Sequence, residues 1–107
     1  MEDSGILDLY FRRDERAIRE TDAKYGRPLV SVSHGITGST EDAEECLNDT
    51  YLATWRQIPP DRPEHFYFYL ARMIRNLSYH RVRARTAEKR SANIVSLDRE
   101  LFEMLPA

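Results

Sequence analysis

Between Ser39 and Ile58 the apolar residues Ala43, Leu47, Tyr51, Trp55 and Ile58 fall at offsets 0, 4, 8, 12 and 15, with Thr50 and Thr54 beside them. This is one stripe of an α-helix, and such a stripe should face a core. Ser39 offers the hydroxyl of a helix cap, and Asp42 three positions on is predicted to return a bond to the free amides. Glu41, Asp42, Glu44 and Glu45 crowd the first turns, where the helix dipole favours acids. Glu45, Asn48, Asp49, Leu52 and Arg56 make a second row on another side, with one large apolar residue among carboxylates and an amide. That row reads either as a solvated face with an exposed leucine or as a docking surface for another protein.

Upstream, residues 1–5 are polar and read as a frayed end, followed by the apolar cluster Ile6, Leu7, Leu9, Tyr10 and Phe11, a brief helix. From Asp14 onward, Ala17, Ile18, Thr21, Tyr25, Leu29, Val32, Ser33 and Ile36 keep helical spacing. Proline inside a helix removes one bond and costs about 3 kcal/mol, so Gly26 and Pro28 predict a kink or restart near Arg27. Gly38 should end this helix. Downstream, Pro59 and Pro60 stop the acidic helix, and Asp61 and Glu64 have capping-box spacing, which predicts a new helix from Arg62 or Pro63 to about Lys89. Phe66, Tyr69, Leu70, Met73, Leu77 and Ala84 would be its buried stripe. Residues 91–107 read as a linker around Leu97, Leu101, Phe102 and Leu105. The fold expected is all-α, a small bundle of three long helices and a short N-terminal one.

At 107 residues, the chain can bury one small core. The lone Cys46 excludes an internal disulfide and a thiolate metal cluster, and reads as a small hydrophobe at the edge of the buried side. No apolar run is long enough to span a bilayer and no signal peptide is read at the start, so a cytoplasmic setting is expected. The net charge of −2 conceals a strong asymmetry. Residues 39–49 hold five acids and no base, while residues 65–90 hold six arginines and one lysine against the single acid Glu88. An acidic segment followed by a basic one suggests two partners, or one partner with two faces.

The basic segment has its own row. Arg72, Arg75, Asn76, Tyr79, His80 and Arg83 fall at offsets 0, 3, 4, 7, 8 and 11. Just before them stand Phe66, Tyr67, Phe68 and Tyr69; four successive aromatics cannot all be buried on one helix, so Tyr67 and Phe68 should be partly exposed. Guanidinium groups neutralise phosphates, and exposed rings stack unpaired bases for about 1–3 kcal/mol each. An amide such as Asn76 can read the edge of a base that has left the stack. Arginines merely snorkelling over the core are the plainer alternative. His34, His65 and His80 are scattered, Glu44 and Glu45 lack a histidine partner at metal-ligand spacing, and Ser31 and Ser33 have no triad spacing. Neither catalytic residues, nor a metal site, nor a cofactor is expected.

The run DAEECLNDTYLATW at residues 42–55, IPP at 58–60, RPE at 62–64 and LARMIRNL at 70–77 resemble region 2 of bacterial sigma-70-family factors, nearest the extracytoplasmic-function (ECF) group. The similarity spans about residues 6–90. It implies a domain that binds the β′ clamp helices of RNA polymerase core and captures the non-template strand of the promoter −10 element. Glu45, Asn48, Asp49 and Leu52, with Arg56 in the same row, align with the polymerase-binding helix. Arg62, Phe66, Tyr67 and Phe68 align with the part that pockets a flipped base, and Arg72 and Asn76 with residues touching −10 bases and backbone. Arg75, Tyr79, His80 and Arg83 continue that surface. An anti-sigma protein is a further partner of such domains. Many relatives have an acid where His80 stands, and Pro28 and Gly35 interrupt a helix that is usually smoother. The region 4 domain of these factors is absent from this sequence, so residues 91–107 are expected to begin an interdomain linker, in an isolated domain or a natural short form. A helical interaction module that never touches nucleic acid is the alternative.

Overall fold

The computed structural model describes the backbone of residues 1–104 and the side chains of residues 1–88. Four helices follow one another: α1 (Asp3–Phe11), α2 (Arg16–Thr37), α3 (Thr40–Gln57) and α4 (Phe66–Met104), with no strand among the described residues. α2, α3 and α4 each pack against the other two, and α1 lies on α2. The expected all-α bundle of three long helices and a short leading one is the architecture found.

Several helix ends can be traced to named residues. Asp3, expected in a frayed segment, instead accepts from Lys24 Nζ and Tyr25 Oη, both at 2.8 Å, so α1 is anchored from its first residue. Asp14 accepts the Arg16 backbone N–H at 3.0 Å and opens α2. No restart occurs at Pro28: α2 runs unbroken through it. Pro28 and Lys24, four positions earlier, are both exposed, so the unpaired backbone there is open to water while Leu29, Ser33 and Thr37 stay packed. Gly38 ends α2 as expected, at φ 68°.

Ser39 caps α3, accepting the Asp42 N–H at 3.2 Å. The return bond expected of Asp42 is not made. Its carboxylate reaches α4, where Arg85 donates at 2.9 Å and Arg81 at 3.4 Å. Arg85 also donates to the Thr37 carbonyl at 2.9 Å, tying α4 to the corner between α2 and α3. α4 begins at Phe66, later than the capping spacing suggested. Asp61 is occupied elsewhere, as acceptor for Tyr69 Oη at 3.0 Å. Without glycine or proline between Glu64 and Leu105, nothing local stops α4 at Lys89, and it continues to Met104. The cluster Leu97, Leu101, Phe102 and Leu105 falls outside the residues whose side chains are described.

The core gathers Ile6, Leu7, Leu9 and Tyr10 of α1, Ala17 and Leu29 of α2, Cys46 of α3, Ile58, and Phe66, Leu70 and Ile74 of α4. Cys46 sits fully inside rather than at an edge. On α4 the buried line runs Phe66, Leu70, Ile74 and Ser78, whereas Ala84, expected inside, is exposed. Polar atoms in this core pair with each other. Tyr10 Oη lies 2.9 Å from Thr21 Oγ1 and 3.4 Å from Thr54 Oγ1. Ser33 Oγ lies 2.6 Å from Ser78 Oγ. No buried side-chain nitrogen or oxygen among the described residues lacks a partner.

Candidate functional site

Two exposed faces survive once the core is accounted for. On α3, Glu45, Asn48, Asp49, Leu52 and Arg56 are all exposed, and Leu52 leaves 55% of its surface in water. Burying a leucine is worth about 1.5–3 kcal/mol, so one held out among polar neighbours is available to a partner. Leu52 forms the rim of an apolar groove of about 510 Å³ between α2 and α3, with Ile18, Tyr51 and Trp55 as walls and Glu15 and Asn48 at its edge. Ile18 and Trp55 had read only as core positions; their half-exposed flanks become a groove because the start of α2 leaves the α3 surface uncovered. Glu45, at the other edge of the face, is paired with Arg81 of α4.

Tyr51 braces this groove from behind. Its hydroxyl donates to Asp22 Oδ1 at 2.6 Å, and burial together with that carboxylate pushes its ionisation far up, so it stays a neutral donor.

On α4, Phe68, Arg72, Arg75, Asn76 and Tyr79 line one shallow depression of about 410 Å³, with Ala71 at its floor. Phe68 is 70% exposed and Tyr79 46%. His80 and Arg83 are exposed further along the same helix. The spacing of 3 and 4 residues that aligned this row in the sequence is what gathers the rings, guanidinium groups and amide on one side. Beside it, Tyr69 Oη donates to Gln57 Oε1 and Asp61 Oδ2, each at 3.0 Å, holding the connection from α3 against the helix near Arg72 and Asn76. Burial and the Asp61 carboxylate push Tyr69's ionisation up, so this hydroxyl too remains a donor.

Three residues expected on this surface stand elsewhere. Phe66 is 1% exposed and packs edge-on to Tyr10 and Tyr25, so it is a core residue and not a stacking platform. Tyr67 is half-buried with its ring 5.2 Å from that of Tyr25. Helical geometry points it roughly 180° away from Asn76, toward α2, so it flanks the depression rather than lining it. Arg62 turns toward α1, where it pairs with Asp8 at 3.0 Å and lies 5.2 Å over the Phe11 ring. Tyr67 and Phe68 are both at least partly exposed, as expected of them, but only Phe68 lines the depression, because Tyr67 turns to Tyr25 of α2.

Among the described residues no helix is long and apolar enough to cross a membrane, and no group of histidine, cysteine and carboxylate side chains could hold a metal. What the two faces can do chemically is bind. One offers an apolar slot edged by acids, the other exposed rings among guanidinium groups, suited to stacking and phosphate contact.

Comparison with curated proteins and with solved structures returns no match. The sequence does match the family described as Sigma-70 region 2 over residues 23–88, which takes in most of α2, all of α3 and the basic part of α4. That stretch is more than half of the chain and holds the exposed rows of α3 and α4, and the chain belongs to the Sigma-70 region 2 family.

Proposed function

We propose that this chain is the region 2 module of an ECF-type sigma factor, which docks on RNA polymerase core through α3 and holds an opened promoter strand against α4. The family's general role, polymerase binding and promoter melting, comes with membership, and the family is not an enzyme class. The finer assignments are the proposal. Glu45, Asn48, Asp49, Leu52 and Arg56 engage the β′ clamp helices, with the groove at Ile18 and Trp55 taking an apolar side chain. Phe68, Arg72, Arg75, Asn76 and Tyr79, continued by His80 and Arg83, hold the non-template strand of the −10 element, with Arg62 and Tyr67 at the margin. The setting is the cytoplasm, and an anti-sigma protein would act by covering either face. The observation that carries this reading is the α4 depression, which joins two exposed rings, two arginines and an amide.

No bond is made or broken. Bases that have left the stack find rings and an amide already in position, so strand capture biases the opening equilibrium toward the melted state. Docking through α3 supplies most of the affinity and brings the α4 face to the bubble.

Titrating a labelled, randomised single-stranded oligonucleotide pool against the chain with polymerase core tests this. Binding should weaken with rising salt. Phe68→Ala should reduce it by about 1–3 kcal/mol of stacking, and Asn76→Ala should reduce sequence preference. Leu52→Glu should abolish core binding while leaving the fold intact, since Leu52 is exposed. Core binding without any strand binding would refute the nucleic-acid half and leave a helical interaction module.

A further inference from the structure

Arg13 stands where the backbone favours glycine. Its φ of 56° lies in the left-handed region, the one non-glycine case among the described residues. Arginine lacks the short polar side chain by which asparagine or aspartate eases that conformation. The turn between α1 and α2 is closed by Arg13 N–H to Tyr10 O at 3.0 Å and Asp14 N–H to Leu9 O at 2.9 Å, bonds a glycine would make equally well. What glycine could not supply is the guanidinium. Its Nη1 donates to Trp55 O at 2.7 Å and to Ile58 O at 3.0 Å, and its carbon lies 3.7 Å above the centre of the Trp55 ring. One side chain therefore caps the end of α3 and stacks on the wall of the α2–α3 groove. A cation there also suits the helix dipole.

We infer that Arg13 is a positioning residue, one that holds the end of α3 so that the groove at Trp55 and the connection 58–65 keep a fixed relation. This rests on the reading of the two faces given above. The connection leads directly into α4, and two further ties keep it in place: Arg62 on Asp8, and Tyr69 on Gln57 and Asp61. Arg13 is the tie that also touches the groove. Without it, the last turn of α3 loses its cap, Trp55 loses its cover, and strand capture loses the pre-set approach to Phe68 and Arg72.

The whole chain carrying Arg13→Gly or Arg13→Lys tests this. Glycine removes the side chain and relieves the left-handed backbone, so the variant should fold, as a thermal melt will report. Trp55 is the sole tryptophan, so its fluorescence reads the loss of the guanidinium directly. In Arg13→Gly the Trp55 emission should shift, and the amides of Ile58 and Asp61, which donate to Thr54 O and Gln57 O, should exchange faster. Capture of the single-stranded pool in the presence of core should weaken roughly fivefold to tenfold, the size of about one lost contact. Lysine keeps a cationic donor for the two carbonyls but lacks the planar group that stacks on Trp55, so it should fall between. Unchanged emission and exchange, or loosened exchange with unchanged capture, overturns the role of Arg13 alone. A wild-type chain that captures no strand overturns the nucleic-acid reading and the role resting on it.

Discussion

Gly26 lies buried in the interior of α2, where alanine would ordinarily gain about 1 kcal/mol. Here the gain should be cancelled or reversed. A Cβ at Gly26 would lie 2.5 Å from Asp22 Oδ1 and 3.4 Å from the Tyr51 hydroxyl. The hydroxyl can tolerate its new neighbour; the carboxylate cannot. Asp22 is exposed and can swing into water, so the backbone need not move, but the Tyr51–Asp22 bond of 2.6 Å is then lost. A hydrogen bond to a charged group contributes about 1.5–3 kcal/mol, and partial exposure places this one toward about 1–2. Gly26→Ala alone should therefore be neutral or destabilising by about 1 kcal/mol. In an Asp22→Ala background the bond is already gone, and the same substitution should stabilise by about 1 kcal/mol. The reversal of sign is the test, and the double-mutant cycle should return a coupling of about 1–2 kcal/mol. Urea unfolding of the four chains, followed by circular dichroism, measures it. A destabilising Gly26→Ala in the Asp22→Ala background would mean that α2 meets α3 too closely for any Cβ, and the side-chain explanation would fall.

Two further predictions concern stability. Ser33 Oγ and Ser78 Oγ are fully buried 2.6 Å apart, and Ser78 donates onward to Ile74 O at 2.6 Å, so Ser33 must be the donor to Ser78. Ser33→Ala and Ser78→Ala should each cost about 1–2 kcal/mol, and the double variant should fall short of their sum by about 1, whereas strict additivity would show no shared bond. Asp14 is held at about 2, below its ordinary 3.8, by the Arg16 guanidinium and then by the Arg16 backbone N–H. A folded value below the unfolded one gives stability that is present above about pH 4 and lost as pH falls toward about 2. Asp3 shifts the same way, since the bonds from Lys24 and Tyr25 together outweigh its burial. Melting temperatures from pH 5 to about 2 should therefore fall less steeply in Asp14→Asn without becoming flat, and parallel curves for the two chains would refute the assignment.

Much of this protein could be read from spacing alone. Period 3.6 marked the stripes of α2 and α3, Ser39 and Gly38 marked their common corner, and the same period separated Leu52 from the core. These are properties of a helix by itself: side chains three and four apart share a face whatever the helix packs against. The row Arg72, Arg75, Asn76 and Tyr79 was legible for the same reason.

What spacing could not decide was which of several compatible faces a neighbour would cover. Tyr67 and Phe68 share the expectation of partial exposure, yet α2 draws Tyr67 against Tyr25 and only Phe68 lines the depression. Asp42 had the spacing of a cap partner, but two arginines about 40 residues away offered charged bonds in place of a neutral one. Pro28 should have broken α2 on local grounds, and packing on the far side kept the helix whole. Arg13 carried no signal at all, because its partners lie 42 and 45 residues away in sequence and meet it only when α3 ends beside the α1–α2 turn. Faces follow from a single helix and its period, whereas partners follow from how helices are stacked, and only the folded chain sets that stacking.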